Sequence, residues 1–143
     1  MTDFVLDERL AADCHRLGKL QVCHLLLMDN ALVPWFILVP ETQQTELIDL
    51  NAAEQAVVLR EINLIATILK ERYAPDKLNI AAIGNIVRQL HVHVVGRFRG
   101  DYAWPGVVWG RTDSTPYKSN DVEELKLYLA QRLSGKFAPQ GSR

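Results

Sequence analysis

Residues 87–97, with the sequence VRQLHVHVVGR, restrict the fold more than any other part of the chain. Apolar and polar side chains alternate along this segment, which is the pattern of a β-strand with different surroundings on its two faces. One face carries the apolar side chains Leu90, Val92 and Val94. The other face carries the polar side chains Gln89, His91 and His93. Because polar side chains are costly to bury without partners, the second face predicts either a hydrogen-bonded cluster or a functional site.

The elements before this segment predict an α+β fold with a mostly antiparallel sheet. Asp7 is a suitable N-cap for a short first helix, which is expected to end near Gly18. Two apolar runs at residues 20–28 and 35–39 flank a turn at Asp29, and together they predict an antiparallel hairpin.

A long helix is expected to separate this hairpin from the strand of the histidines. Asn51 followed by Glu54 has the pattern of a capping box, and the helix that it begins is expected to span residues 52–73. A further strand at residues 78–83 precedes the segment 87–97. The order of elements therefore places the longest helix between the hairpin and the motif strands.

The last third of the chain predicts one helix and little other regular structure. Residues 100–117 show no hydrophobic period, and an irregular run of that length is more often functional than accidental. A C-terminal helix is expected at residues 121–134, and the tail at residues 136–143 is expected to be flexible. The length of 143 residues predicts a single domain spanning residues 1–143.

Charge and composition exclude several classes of protein. Sixteen Lys and Arg residues oppose 17 Asp and Glu residues, for a formal net charge of -1, whereas a general nucleic-acid binder needs a basic excess. The longest strongly apolar stretch, residues 31–40, is about half as long as a membrane span requires. Cys14 and Cys23 are too few for a disulfide framework, and they predict reduced thiols in a cytoplasmic protein.

Two imidazoles two residues apart on one strand face can perform nucleophilic catalysis. A neutral imidazole can attack phosphorus and form a phosphohistidine, which water or another acceptor then discharges. The second imidazole, if protonated, can donate to a phosphoryl oxygen or to the leaving group. The amide side chains of Gln89 and Asn85 can hold the phosphoryl oxygens on which charge accumulates.

Two other interpretations of the pattern stay open. His-x-His on a strand is a common half of a zinc or iron site, whose remaining ligands would be His15, His24 or a carboxylate. No second motif with ligand spacing accompanies it in the sequence. Alternatively, His91 and His93 are two hydrogen-bonded histidines of a sheet and have no chemical role.

The same residues resemble the signature of the histidine triad (HIT) family, His-x-His-x-His followed by two apolar residues. The three signature positions hold Gln89, His91 and His93, and two valines follow them. The family pattern just upstream, Gly-Gln-x-Val-x-His, is matched by GNIVRQ at residues 84–89, with Asn85 in place of the glutamine.

The resemblance extends over about residues 20–106. Asp29 ends the first strand of the hairpin and the run WFILVP forms the second strand, as in the family. Trp104 and Pro105 resemble a Trp-Pro segment that follows the signature strand in one branch. The resemblance implies a HIT-like α+β fold, a homodimer, and a bacterial subgroup in which the first triad position is Gln.

The resemblance also implies roles for individual residues. His91 corresponds to the nucleophile that attacks the α-phosphate of a nucleotide and forms a nucleotidyl-histidine, and His93 to the residue that contacts phosphate and leaving group. The backbone carbonyl of Gln89 is expected to accept the other ring N–H of His91, which would fix its tautomer. The remaining expected contacts are Asn85 near the phosphate, Asp29 on the ribose hydroxyls and Asn79 on the phosphate.

The function implied by the resemblance is a nucleotide phosphohydrolase or nucleotidyl hydrolase that acts on dinucleoside polyphosphates or nucleoside phosphoramidates, with no cofactor and no metal. A transferase would differ only in what discharges the phosphohistidine. Gln89 departs from the family pattern, because a glutamine can neither carry charge nor shuttle a proton. A nucleotide-binding module with weak or no turnover is therefore a second hypothesis, and a metal-dependent enzyme with His91 and His93 as ligands is a third.

Overall fold

This computed structural model describes residues 3–141, which contain six β-strands, three α-helices and a short 3-10 helix at Leu47–Asp49. The helices are α1 (Glu8–Asp13), α2 (Ala52–Tyr73) and α3 (Ser119–Arg132). The strands are β1 (Cys14–Lys19), β2 (Cys23–Met28), β3 (Trp35–Pro40), β4 (Lys77–Ala81), β5 (Val92–Arg97) and β6 (Ala138–Pro139). The predicted α+β class is confirmed, with a helix near each end of the chain. None of the helices in these residues combines the length and the apolar character needed to cross a membrane.

All six strands form one sheet in the order β4-β5-β3-β2-β1-β6, and every neighbouring pair is antiparallel. The predicted hairpin is confirmed as β2 and β3, in which Leu25 pairs with Leu38. β5 lies inside the sheet, where His93 pairs with Ile37 of β3 and with Ala81 of β4. The strand that carries His93 is therefore held on both edges.

Different parts of the chain cover the two faces of the sheet. α2 and α3 pack on one face and enclose the first core. That core contains the apolar side chains predicted for it, Leu90, Val92 and Val94. The N-terminal segment and the irregular residues 98–118 cover the other face. The second core there includes Leu6, Leu10, Leu26, Ile37 and Val108. His93 points to this second face, because successive side chains of a strand alternate.

The boundaries of α2 agree with the sequence prediction. The side chain of Asn51 accepts a hydrogen bond from the N–H of Glu54 at 2.8 Å, and the Glu54 carboxylate accepts one from the N–H of Asn51 at 3.0 Å. Close packing of α2 on β5 needs Gly96, because a Cβ at that position would lie 2.6 Å from the side chain of Leu69. The capping box thus fixes where α2 starts, and Gly96 allows its close contact with the sheet.

The expected first helix, from Asp7 to near Gly18, is wrong in its second half. α1 is 6 residues long, and β1 follows it directly and pairs with β2. Leu10 and Leu17 have helical spacing, yet they are buried in different cores on opposite faces of the sheet. Pairing between distant strands decides the conformation here, and local spacing does not report it.

The strand expected at residues 20–28 begins only at Cys23. The carboxylate of Glu61 on α2 accepts hydrogen bonds from the N–H groups of Gln21, Val22 and Cys23, at 2.7, 3.2 and 2.9 Å. This buried carboxylate holds the residues before β2 as a turn and satisfies the N–H groups at the start of the strand.

The strand expected at residues 87–97 is regular only in its second half. Residues 82–91 are irregular, and β5 begins at Val92. Gln89 and His91 therefore precede the strand that was predicted to carry them, and their positions depend on contacts outside the ladder.

The C-terminal region differs from its prediction in the tail. The helix expected at residues 121–134 begins two residues earlier, as α3. The tail, expected to be flexible, contains β6, which pairs with β1 next to Gly18. A Cβ at Gly18 would overlap the carbonyl of Ala138, so this pairing depends on a glycine. Residues 142–143 of the tail lie outside the described residues.

Candidate active site

His91 lies just before β5 and is 6% exposed. Its Nδ1 is 2.7 Å from the backbone carbonyl oxygen of Gln89, which is the contact expected from the resemblance. Because a carbonyl oxygen can only accept, Nδ1 carries the proton in this hydrogen bond. The neutral ring then has its lone pair on Nε2, which is the arrangement that a nucleophilic imidazole needs.

His93 is also 6% exposed, and Trp35 of β3 sets its orientation. The indole N–H of Trp35 donates to Nδ1 of His93 across 3.0 Å. An indole nitrogen only donates, so neutral His93 carries its own proton on Nε2. Burial, together with the neighbouring His91, lowers the pKa of His93 to about 4. Near pH 7 His93 is therefore a neutral hydrogen-bond donor and not a protonated acid.

The two imidazole rings are adjacent, with centroids 5.0 Å apart and planes at 66°. Trp109, from the irregular residues 98–118, packs edge to face against His93 with centroids 5.3 Å apart. Its indole nitrogen is buried and has no hydrogen-bond partner within residues 3–141. The site thus combines a ring nitrogen with a lone pair and a ring N–H donor beside the indoles of Trp35 and Trp109.

Gln89 uses its backbone and its side chain for different purposes. Its side-chain Nε2 donates to the carbonyl of Val5 at 2.9 Å, and its Oε1 accepts from the N–H of Asp7 at 2.8 Å. Both ends of the amide are therefore engaged with the N-terminal segment. The second N–H of the amide is left for the expected contact with phosphoryl oxygens.

A cavity of about 80 Å³ adjoins His91. The other residues that line it include Thr45, Glu46, Gly84, Arg88 and Gln89. Sites that enclose whole small molecules typically measure about 300–1,000 Å³, so this cavity suits a group of phosphate size with the rest of the ligand outside. Asn85 is exposed and follows Gly84 in the chain, which places it beside this cavity.

Asn79, expected to reach the phosphate, belongs to a different cluster. Its Oδ1 accepts a hydrogen bond at 2.8 Å from Nη1 of Arg97, which is 2% exposed. Arg97 also donates through Nε and Nη2 to the two carboxylate oxygens of Asp101, at 2.8 and 3.0 Å. The side chain of Asn79 thus serves the buried Arg97 and is not directed to His91.

Asp29, expected to hold the ribose, follows β2 directly. Its Oδ1 accepts hydrogen bonds from Nε2 of His15 at 2.8 Å and from the backbone N–H of Tyr117 at 2.9 Å. Partial burial alone would raise the pKa of Asp29, but these two donors lower it below the usual value. No hydrogen bond within residues 3–141 links Asp29 to His91 or His93, and β3 separates β2 from β5.

Residues 3–141 add no further metal ligand to the histidine pair. Within the described residues, no group of three or more His, Cys, Asp and Glu side chains is arranged to hold a metal ion. The two other histidines suggested by the sequence bond elsewhere: His15 to Asp29, and His24 to Glu41 at 2.8 Å. The residues present therefore do not fit a metal site at this pair.

The family model described as HIT domain matches residues 9–100. This chain belongs to the HIT family. Among solved structures it resembles a histidine triad protein from Bradyrhizobium japonicum, with 39% identity, coverage of 89% of this chain and 96% of that chain, and a TM-score of 0.84.

Two further HIT-family structures match closely. A histidine triad (HIT) protein from Sinorhizobium meliloti 1021 is 41% identical, with a TM-score of 0.86. The match covers 91% of this chain and 97% of the Sinorhizobium chain. A histidine triad protein from Marinobacter aquaeolei VT8 is 41% identical, covers 90% of this chain and 94% of that chain, and has a TM-score of 0.85. A comparison with curated proteins found no match. These relatives confirm the HIT-like fold predicted from the sequence.

Sequence reasoning missed the partners that orient this HIT site. Trp35 was placed in the hairpin strand, but its bond to His93 depends on the pairing of β3 with β5. Val5 and Asp7, which bind the Gln89 side chain, are more than 80 residues away in sequence. Alternation along β3 places Trp35 on the same face as Ile37, but the pairing of Ile37 with His93 is visible only in the folded sheet.

A larger cavity, about 820 Å³, lies elsewhere in this HIT domain, between α2 and the C-terminal tail. Its lining includes Lys19, Arg60, Glu61, Lys136 and Phe137. It is lined by no histidine, so cavity size does not identify the site here.

Proposed function

We propose that this HIT-family protein is a nucleotide phosphohydrolase that acts at the α-phosphate through a nucleotidyl-His91 intermediate. The observation that carries the proposal is the hydrogen bond from Nδ1 of His91 to the carbonyl of Gln89. In the neutral ring this bond leaves the lone pair on Nε2, and His91 lines a cavity of phosphate size.

The reaction proceeds in two displacements at phosphorus. Nε2 of His91 attacks the α-phosphorus, a P–N bond forms, and the bond from phosphorus to the leaving group breaks. The Nε2–H of His93 donates a hydrogen bond to a phosphoryl or bridging oxygen, which stabilises the charge that develops there. Water then attacks the same phosphorus, the P–N bond to His91 breaks, and a nucleoside monophosphate is released.

The substrates proposed are dinucleoside polyphosphates and nucleoside phosphoramidates, in which an α-phosphate carries a leaving group through oxygen or nitrogen. Asp29, with one carboxylate oxygen outside the bonds to His15 and Tyr117, is proposed to bind the ribose hydroxyls. Asn85 is proposed to contact the phosphate from the rim of the cavity. A ligand that touches both Asp29 and His91 would have to cross β3.

One observation favours a second candidate, a nucleotide-binding module with little turnover. Both ends of the Gln89 amide are bound to the N-terminal segment, which leaves this side chain at most one N–H for a phosphate. If the chemistry requires a polar side chain from the first triad position, binding would persist without hydrolysis.

We also propose that the protein acts as a homodimer in the cytoplasm. β4 is an edge strand of the sheet, and the apolar side chains of Ile80 and Ile83 in and after it are 46% and 40% exposed. An exposed edge with apolar side chains favours pairing with a second chain. The two cysteines are unpaired, as expected of a reducing compartment. Sedimentation of wild type and of an Ile80→Lys variant tests the dimer.

Intact-protein mass spectrometry tests the proposed reaction. Wild type, His91→Ala and His24→Ala are incubated briefly with an adenosine phosphoramidate or a diadenosine polyphosphate and quenched without acid. We expect an adenylyl adduct or AMP release in wild type and in His24→Ala, and neither in His91→Ala. His24 is the matched control because it is also a histidine with one ring nitrogen in a hydrogen bond, but its bonded atom is Nε2, which contacts the carboxylate of Glu41.

The other outcomes separate the alternatives. Nucleotide binding by calorimetry without adduct or product supports the binding module. AMP release that persists in His91→Ala contradicts the nucleophile assigned here.

A further inference from the structure

We propose that the side chain of Gln89 is a positioning residue, which ties the N-terminal segment to the backbone carbonyl that orients His91. The proposal rests on the proposed function in that it assumes His91 to be the nucleophile. It adds a physical role for the residue by which this chain departs from the His-x-His-x-His pattern.

The carbonyl that binds His91 lies in a part of the chain that no ladder holds. Residues 82–91 are irregular, and the first strand residue is Val92. No strand pairing therefore fixes the direction of this carbonyl, although the next residue, Leu90, is buried in the first core. The carbonyl accepts from Nδ1 of His91 at 2.7 Å, and a side-chain contact of Gln89 would restrict its rotation further.

The Gln89 side chain provides that contact through two hydrogen bonds. Its amide donates to the carbonyl of Val5 at 2.9 Å and accepts from the N–H of Asp7 at 2.8 Å. Two bonds in opposite senses to residues two apart fix both the position and the rotation of the amide. The carbonyl of the same residue is then held within a narrow range.

The N-terminal segment that binds Gln89 is itself held in place by burial and by a helix cap. Leu6, between the two bonded residues, is 7% exposed, and Leu10 is 4% exposed; both pack in the second core. The Asp7 side chain accepts from the N–H of Arg9 at 2.8 Å and caps α1. The Gln89 amide therefore links the site to a segment held by apolar burial and by a helix cap.

A primary amide suits this role better than an imidazole. Its N–H₂ group always donates and its oxygen always accepts, whatever the pH. A neutral imidazole offers one donor and one acceptor, and protonation removes the acceptor. Glutamine thus keeps both bonds across the pH range in which a histidine would titrate.

The ring tautomer of His91 is the direct readout, and it needs no substrate. Long-range ¹H–¹⁵N spectra of histidine-labelled protein report which ring nitrogen carries the proton. In wild type we expect a single neutral form of His91 with the proton on Nδ1. In Gln89→Ala we expect a mixture of both neutral forms and faster amide exchange over residues 5–10.

Two variants serve as controls. In Gln55→Ala the lost amide also donates to a backbone carbonyl, that of Leu50, but far from the histidines, and the His91 spectrum should not change. Gln89→Glu keeps the size and the acceptor while losing the donor to Val5. It replaces Gln89→Ala if that variant does not fold, and an intermediate mixture is expected.

A change at the other end of the contact isolates one bond. Asp7→Pro removes the N–H that Gln89 accepts, and the φ of -52° at Asp7 suits proline. Asp7→Ala loses the same helix cap but keeps the N–H. Asp7→Pro should therefore alter the His91 tautomer more than Asp7→Ala does, and this difference should disappear in the Gln89→Ala background.

Hydrolysis of an adenosine phosphoramidate gives a second readout. Loss of orientation at a reacting group costs about 10- to 100-fold in rate, so kcat of Gln89→Ala should fall by that order while KM changes little. An unchanged His91 tautomer in a folded Gln89→Ala variant overturns the proposal, even if residues 5–10 loosen. If wild type hydrolyses nothing, the proposed function fails, and the tautomer measurement still decides whether Gln89 positions His91.

Discussion

Polar side chains are buried at both ends of β5. The two ends differ in how many hydrogen-bonding atoms of these side chains remain without a protein partner. At the start of the strand, His91 and His93 are each 6% exposed, and each ring has one nitrogen bonded within the protein. At the end, Arg97 is 2% exposed and donates from all three of its nitrogens. Burial of a polar group therefore does not by itself indicate a functional site. A buried group that keeps a free donor or acceptor beside a cavity is the better indicator.

The two ends also treat charge differently. Arg97 holds the pKa of the Asp101 carboxyl well below its usual range, and three backbone N–H groups that the same carboxylate accepts add to the effect. The Arg97–Asp101 pair is a charge-compensated brace for the loop after β5. Burial, by contrast, keeps His93 neutral without a counter-ion. The Arg97–Asp101 pair stabilises the fold because its hydrogen bonds are made within the protein. A binding site, in contrast, must keep donors or acceptors free for a ligand.

The largest effect on stability is expected at the brace. Asp101→Asn leaves Arg97 buried without its counter-charge, which should cost about 3–5 kcal/mol of unfolding free energy. Urea denaturation measures this. The matched control is Glu71→Gln at the Glu71–Arg132 pair, whose side chains are 44% and 41% exposed and where little change is expected. Equal effects at the two pairs would contradict the distinction between a buried brace and a surface pair.

The next effect is a pH dependence that comes from His93. The folded pKa of about 4 lies below the ordinary histidine value of 6.5, so between these pH values the unfolded chain binds a proton that the folded chain does not. Stability should therefore fall as the pH drops through this window, by roughly 3 kcal/mol in total. Urea denaturation of wild type and His93→Asn from pH 7 to pH 4 measures the difference. Parallel curves for the two proteins would show that His93 is not held neutral.

A variant of Asn79 tests whether this residue belongs to the Arg97 end or to the histidine end of β5. The sequence predicts a contact with the phosphate, whereas the structure shows a hydrogen bond to Arg97. Asn79→Ala removes a hydrogen bond to a charged group and should cost about 2 kcal/mol of stability. KM for an adenosine phosphoramidate should stay the same, since the side chain is not directed to His91. A raised KM with unchanged stability would return Asn79 to the phosphate site.

The smallest effect is expected at Trp35. Trp35→Phe removes the indole N–H that His93 accepts, while Trp109→Phe makes the same chemical change at an indole without a hydrogen-bond partner in residues 3–141. Trp35→Phe should be less stable than Trp109→Phe by about 1 kcal/mol. Denaturation of both variants measures this difference, and a difference of zero would mean that the bond does not hold His93.

Much of the fold was predictable because it depends on local patterns. The capping box at Asn51 and Glu54 marked the start of α2, and alternation along the motif assigned Leu90, Val92 and Val94 to the core. β1 was not predictable, because Leu10 and Leu17 have helical spacing and only pairing with β2 shows that they belong to opposite cores. β6 depends in the same way on the close approach of the tail to Gly18.

At the site, the sequence by itself determined which groups are present: two imidazoles two residues apart, preceded by an amide in place of the first histidine. The tertiary structure alone decided which atoms of these groups are free. Trp35 binds Nδ1 of His93, and Val5 and Asp7 bind the Gln89 amide. These partners come from other strands and from the opposite end of the chain. Hydrogen-bond direction and desolvation depend on such distant neighbours. For that reason the motif alone could not show that His93 is neutral or that both ends of the Gln89 amide are bound to the N-terminal segment.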